Sequence, residues 1–192
     1  GTVYYISLNQ KNPNLAKPEV REAMKYLVDY DAIGKTLIKG VGEIHQTFLP
    51  KGFLGSIDEN PYSLDIEKAK ALMAESGLTL PIEIGFTVRN NQERMDIATS
   101  IQNTFAQIGI NLVMDVGDGK QGLETYRGRK HDITLQTWGP DYPDPHTNAS
   151  TFAMNPDNTD EANATGYLAW RTAWDPGALN AETAAAVEEK DS

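Results

Sequence analysis

The stretch "TWGPDYPDPHTN", residues 137–148, gathers one tryptophan, one tyrosine, two aspartates, three prolines and one histidine into twelve positions. Proline fixes φ and lacks a backbone donor, so three of them predict a stiff, irregular loop rather than a helix or a ladder strand. Such a loop, holding Asp141 and Asp144 beside Trp138 and Tyr142, could serve as a turn, a metal site, a catalytic carboxylate pair or an anchor for a cationic ligand. Asp and Pro are ordinary turn formers, and Asp144 before Pro145 reads as a turn residue. Asp141, Asp144 and His146 offer a metal two carboxylates and one imidazole, which falls short of a transition-metal set, and His45 and His131 are remote in sequence. Carboxylates three residues apart on a proline-bound loop have no controlled separation, so acid–nucleophile work is poorly served. An ammonium group that leaves water does need a carboxylate. A charge-assisted hydrogen bond of that kind contributes about 1.5–3 kcal/mol.

Other chemistry is scarce along the chain. There is no Gly-x-Ser-x-Gly elbow, no His-Glu-x-x-His and no phosphate loop. "GDGKQG" (117–122) reads as a turn after a strand. The absence of cysteine removes disulfides, thiolate metal sites and cysteine nucleophiles together. No catalytic residue, metal ligand or cofactor is assigned. The net charge of -10, from 17 basic and 27 acidic residues, argues against nucleic acid and anionic membranes as partners. Trp170 and Trp174 in "WRTAW" fall one helical turn apart, which reads as packing. Arg171 between them reads as solvated, and the acidic "VEEKD" as an exposed helix face.

The elements that would position the loop follow from hydrophobic period and caps. "TVYYISLNQ" (2–10) predicts a strand. Pro18 opens a helix over 18–30 whose Val20, Ala23, Met24, Leu27 and Val28 share one face. A second helix fits 31–40, capped by Asp31 and stopped by Gly40. Residues 48–56 read as a turn-rich surface crossing. Asp65 caps a helix ending at Gly77, with Ile66, Ala69, Leu72 and Met73 as its stripe. Ile82, Ile84, Phe86 and Val88 alternate as a strand. Ile97, Ile101, Phe105 and Ile108 then line one helix face, and Ile110, Leu112, Met114 and Val116 alternate again. Strand, helix and strand make a βαβ unit with parallel strands. "HDITLQTW" (131–138) predicts the strand that delivers the chain into the proline loop. Residues 154–166 read as loop, "LAWRTAWDP" is ambiguous, and 180–192 read as a helix. With 192 residues, 40% of them hydrophobic, the chain can bury a sizeable core. No apolar run approaches the roughly 18 residues of a membrane helix. The opening "GTVYYISLNQ" reads as strand rather than signal peptide, which leaves export open.

Four stretches, in order, resemble one family. "NPNLAKPEVREAMKYLVDYDAIGKTLIKG" is similar to a loop-helix opening with Val-Arg-x-Ala and a following Asp-x-x-x-Ile helix start. "YSLDIEKAKALMAESGL" is similar to an Asp-x-x-Lys-Ala-x-x-Leu-x-x-x-Gly-Leu helix. "IQNTFAQIGINLVMDV" is similar to a helix-to-strand Ile-Gly-Ile step, and "HDITLQTWGPDYPDP" to a Trp-x-x-Asp-Tyr-x-x-Pro loop. Together they resemble the extracytoplasmic solute-binding proteins of ABC importers, in the oligopeptide, dipeptide and nickel-binding class, over roughly residues 1–145. The resemblance implies an α/β fold with a mixed sheet and a βαβ unit. Residues 1–192 would form a single lobe of a two-lobed, type II periplasmic binding protein. It implies no enzymatic activity but capture of peptides for import, or of a nickel chelate, opine or oligosaccharide on the same scaffold. A free-standing interaction module is the reading from another class. The implied partners are a small solute, a membrane permease and a second lobe of the same polypeptide that closes by a hinge. The implied location is the periplasm, or the outer face of the cell membrane through a lipid anchor. On the matched loop, Asp141 would receive the ligand amine and Trp138 would wall the pocket, with Tyr142 beside them. Leu135–Thr137 would offer a strand-like edge to the ligand main chain.

Overall fold

A computed structural model of the chain describes residues 2–186. Four strands form one sheet in the order β1-β4-β2-β3: β1 (Val3–Leu8), β2 (Ile82–Arg89), β3 (Ile110–Gly117) and β4 (Ile133–Trp138). β2 and β3 are parallel along their whole length, Ile82 opposite Ile110 and Arg89 opposite Gly117, joined by α4 (Gln92–Ala106) as the βαβ pattern requires. β1 runs antiparallel to β4 with Val3 opposite Trp138 and Leu8 opposite Ile133. The sheet is therefore mixed, as expected. Between β2 and β4 the register covers only Phe86–Ile133 and Thr87–Thr134. At one end of that pair, the Asp132 carboxylate accepts the Gly85 N–H at 2.9 Å in place of a strand carbonyl. At the other end the strands part, and that parting makes the crevice described below.

One sheet face is apolar and carries the core. Ile84, Phe86, Val88, Ile110, Leu112, Ile133 and Leu135 are buried there beneath Ile97, Ile101 and Phe105 of α4. Helices α1 (Pro18–Lys25) and α3 (Ile66–Glu75) add Val20, Ala23, Met24, Ala69 and Met73 to the same cluster. The opposite face presents Tyr5, Ser7, Thr87, Thr134, Gln136 and Trp138, since ladder partners share a side. Helices α5 (Gly119–Arg127) and α6 (Pro145–Ala153) pack on that face, through Tyr126 and Phe152 respectively, both of which meet Tyr5.

Several elements depart from expectation, each for a local reason. α1 stops at Lys25 instead of running to Tyr30, because the Tyr26 carbonyl is taken by the Asp65 N–H at 2.8 Å. Leu27 and Val28 are buried all the same. The next helix is capped by Asp29, whose carboxylate accepts the Ala32 N–H, and not by Asp31, which pairs with Lys35 at 3.0 Å. Its three α residues, α2 (Tyr30–Ala32), pass into a π turn, Ile33–Leu37, where Gly34 lets Ile44 approach: a Cβ there would lie 2.9 Å from the isoleucine Cγ1. "GDGKQG" is not a turn but the start of α5, with Asp118 as N-cap. The proline loop is irregular only to Pro143; Pro145 occupies the first turn of α6, where its missing N–H costs nothing. Residues 168–171 form a short helix, α7 (Leu168–Arg171), and 179–185 another, α8 (Leu179–Ala185). The acidic stretch 187–191, expected as a helix face, lies outside the described residues. Among those residues no helix is long and apolar enough to cross a membrane.

Candidate functional site

The chain leaves β2 for α4 and β3 on one side, and returns from β3 through α5 across the opposite face to reach β4. Neighbouring strands β2 and β4 thus send the chain in opposite directions at their carboxyl ends, the place where α/β sheets open a crevice for ligands. Here the crevice has a volume of about 200 Å³ and is bounded by Thr87, Arg89, Arg94, Gly119, Gln136 and Thr137. Arg89 is the last residue of β2 and lies across the N-terminus of α5. A Cβ on Gly119 would sit 2.9 Å from the Arg89 Nε, so the glycine is what lets the guanidinium lie there. Arg94, in the first turn of α4, reaches across to donate from Nη2 to the Thr137 Oγ1 at 3.0 Å, its guanidinium carbon 5.8 Å from the Tyr4 ring centre. Two guanidinium groups bring positive charge to this crevice, and the Asp118 carboxylate caps the helix end beside them. Its backbone edge at Leu135–Thr137 lies beyond the last β2–β4 pair, on the side of β4 that faces away from β1.

β4 then delivers Trp138 and the loop that follows. Asp141 is exposed and makes no hydrogen bond or ion pair among the described residues. Tyr142 is 64% exposed, so it does not pack, and it flanks the carboxylate. Asp144 acts differently, capping α6: Oδ1 accepts the His146 N–H and Oδ2 the Thr147 hydroxyl, both at 3.0 Å. The two aspartates are therefore separated in role: Asp144 caps a helix, and Asp141 has no partner among the described residues. Trp138 is half-buried, its ring edge-on to Phe152 at 5.7 Å. Asp141 follows Thr137 by four Cα–Cα steps, so its Cα lies within about 14 Å of the crevice wall.

The other candidate residues do not join this site. His45 donates from Nε2 to the Leu49 carbonyl at 2.6 Å, and His131 is buried beside Ser7. Among the described residues no group of three or more His, Cys, Asp or Glu side chains is placed to hold a metal. Trp170 is buried, donating from Nε1 to the Thr159 carbonyl, and the positive φ of Ala173 ends the helical turn before Trp174. Arg171 is not solvated as expected: its Nε donates to the Thr165 carbonyl and its guanidinium lies 5.0 Å from the Tyr126 ring centre. Burial lowers the pKa of Arg171 and raises that of Tyr126. Sequence pattern did not single out Arg89 and Arg94. The available signal was a cation closing an alternating strand with a second three residues after the Asn91 cap, both at the carboxyl end of a parallel strand.

The same fold recurs in solved structures. The periplasmic binding protein DppA from Helicobacter pylori in complex with the peptide STSA superposes with a TM-score of 0.86 at 21% identity, over 99% of this chain and 36% of that one. A dipeptide-binding protein from Pseudoalteromonas sp. SM9913 in complex with Met-Leu gives 0.84 at 20% identity, over 99% and 37%. These likenesses establish the fold, including the mixed α/β sheet. Among curated relatives, the dipeptide-binding protein of Escherichia coli (strain K12) is 30% identical over 155 residues, 74% of this chain and 28% of its own. The nickel-binding periplasmic protein of the same organism is 27% identical over 165 residues, 78% and 31%. The chain spans under a third of the length of these two relatives. It belongs to the bacterial extracellular solute-binding proteins, family 5, whose middle segment matches residues 1–160.

Proposed function

We propose that this chain is one lobe of the substrate-binding component of an ABC importer and that it captures short peptides as zwitterions. The observation that carries this reading is the pairing of opposite charges: an exposed, unpartnered carboxylate on Asp141, one short loop away from the cationic crevice of Arg89 and Arg94. An extended peptide of two or three residues spans about 7–10 Å, a separation that fits the reach of that loop. In this reading Asp141 takes the α-ammonium, the crevice takes the carboxylate, and Trp138 with Tyr142 walls the side chains. The open backbone edge at Leu135–Thr137 offers main-chain pairing that is indifferent to ligand sequence. The site captures and releases; it has no nucleophile–base arrangement and performs no chemistry. A second lobe of the polypeptide closes over the ligand, a membrane permease receives it, and the protein works in the periplasm or, lipid-anchored, on the outer face of the membrane. The relatives named for dipeptides, and the solved structures holding STSA and Met-Leu, support the ligand class.

The test is native mass spectrometry and calorimetry on the two-lobed protein, comparing wild type with Asp141→Asn and Asp141→Ala. Loss of one charge-assisted bond of about 1.5–3 kcal/mol should weaken dipeptide binding by roughly 10- to 150-fold. A retained nickel chelate, opine or sugar whose binding ignores both substitutions would keep the family and remove the amine-binding role from Asp141.

A further inference from the structure

Residues 45–62 form a loop closed on itself, and Phe48 lies near its start. Gln46 clamps both backbone groups of Tyr62, donating to its carbonyl and accepting its N–H, each at 2.8 Å. The Leu49 carbonyl collects the His45 Nε2 and the Thr47 hydroxyl. The Tyr62 hydroxyl donates to Glu22 of α1 at 3.1 Å, which ties the loop base to the helical layer. Phe48 is held by α6 in two ways. Its carbonyl accepts from the Asn148 Nδ2 at 2.7 Å, and its ring stacks on Phe152 with centres 6.2 Å apart and planes 22° apart. Asn148 and Phe152 are four residues apart and so share one face of α6.

That face leads straight to the candidate site. Phe152 also meets the Trp138 ring edge-on at 5.7 Å and Tyr5 at 5.2 Å. α6 begins at the Asp144 cap, three residues after Asp141. Phe48 is 37% exposed and lies outside the main core cluster, yet Asn148, which bonds its carbonyl, is fully buried with its Oδ1 unpartnered among the described residues. Burying an amide to grip a loop is costly unless the grip matters.

We propose that Phe48 is a positioning residue for the ligand site. Through Phe152 it fixes the Trp138 indole, and through Asn148 it fixes the helix that begins where the Asp141 loop ends. The proposal rests on the reading of Trp138 and Asp141 as ligand contacts, but its first test needs no ligand. Amide hydrogen exchange on the 192-residue chain should show residues 138–153 exchanging at least tenfold faster in Phe48→Ala. The amides of β2 and β3 should stay unchanged, as expected for a local opening. Phe48→Leu, which keeps an apolar contact with Phe152, should recover part of the protection. Unchanged protection over 138–153 would overturn the proposal, and so would an equal acceleration across β2 and β3. In the two-lobed protein, Phe48→Ala should cost a phenylalanyl dipeptide several-fold more affinity than an alanyl dipeptide. Equal losses for the two would also overturn it. If wild type binds neither dipeptide, the peptide reading fails while the exchange result still decides the role of Phe48.

Discussion

Ser7 Oγ and His131 Nε2 lie 2.9 Å apart in the interior, with the Tyr126 ring edge-on to the imidazole at 5.0 Å. A serine–histidine contact invites a catalytic interpretation, but His131 is 3% exposed and its Nδ1 has no partner among the described residues to orient it. Its consequence is for stability. Burial pushes its pKa down to about 4, with the charge of Asp132 opposing. The unfolded value is about 6.5, so the folded state favours the neutral ring. That contribution is complete above pH 6.5 and is lost as pH falls towards 4. It amounts to up to about 3 kcal/mol, since each pH unit between the folded and unfolded values is worth about 1.4 kcal/mol. His131→Gln keeps a donor for Ser7 and cannot titrate. Its urea midpoint should fall at pH 7 but decline less between pH 6.5 and 4 than that of wild type. Parallel curves for the two proteins would show that another group governs the acid limb. No sequence pattern marks His131 as buried, because the histidine precedes the strand and its environment comes from α5 and β1.

Among the described residues five helices begin at side-chain caps, and the four beyond Asp29 differ in how legible they are. Asp65, Asn91, Asp118 and Asp144 accept the N–H of Lys68, Arg94, Gln121 and His146 at 2.8–3.1 Å. Asp65 was readable because an apolar stripe at helical spacing follows it at once. Asp118 was not, because glycines at 119 and 122 lower helix propensity and imitate a turn. The fold makes use of the first: Gly119 admits Arg89, whereas a Cβ on Gly122 would meet the Thr87 methyl at 3.9 Å, an ordinary contact. Asp144 reads as a turn residue because three prolines suggest loop throughout, although Pro145 belongs in a first helical turn. Asp65→Ala and Asp118→Ala should each cost about 1 kcal/mol, a fall of about 2–4 °C in Tm for a chain of this size. They should part on function. Only Asp118→Ala removes a negative charge from the helix end beside Arg89, so only it should tighten binding of a ligand carboxylate, measured by calorimetry in the two-lobed protein. Equal affinity in the two variants would place the carboxylate elsewhere.

At the scale of the whole molecule, the apolar period of the strands and α4 determined the fold class, whereas the site depends on strand order, which no local pattern encodes. Asp141 and Trp138 could be proposed because their loop resembles the family's Trp-x-x-Asp-Tyr-x-x-Pro stretch. Arg89 and Arg94 could not, because their crevice exists only where β4 inserts beside β2 and then diverges from it after Thr134. The same geometry limits what the lobe can do alone. The candidate charges lie on an exposed loop and in an open crevice, and solvent screens exposed ion pairs to about 0–1 kcal/mol each. Association costs several kcal/mol in lost rigid-body freedom, so two such pairs do not hold a dipeptide without a second surface that excludes water. A stabilising ligand raises stability by RT ln(1 + [L]/Kd), which vanishes when Kd far exceeds the ligand concentration. The 192-residue chain should therefore show no measurable rise in Tm with dipeptides at about 1 mM, while the two-lobed protein should rise by several degrees. A clear rise for the isolated chain would mean that the crevice and loop already enclose the ligand, and closure by a second lobe would no longer be needed to explain binding.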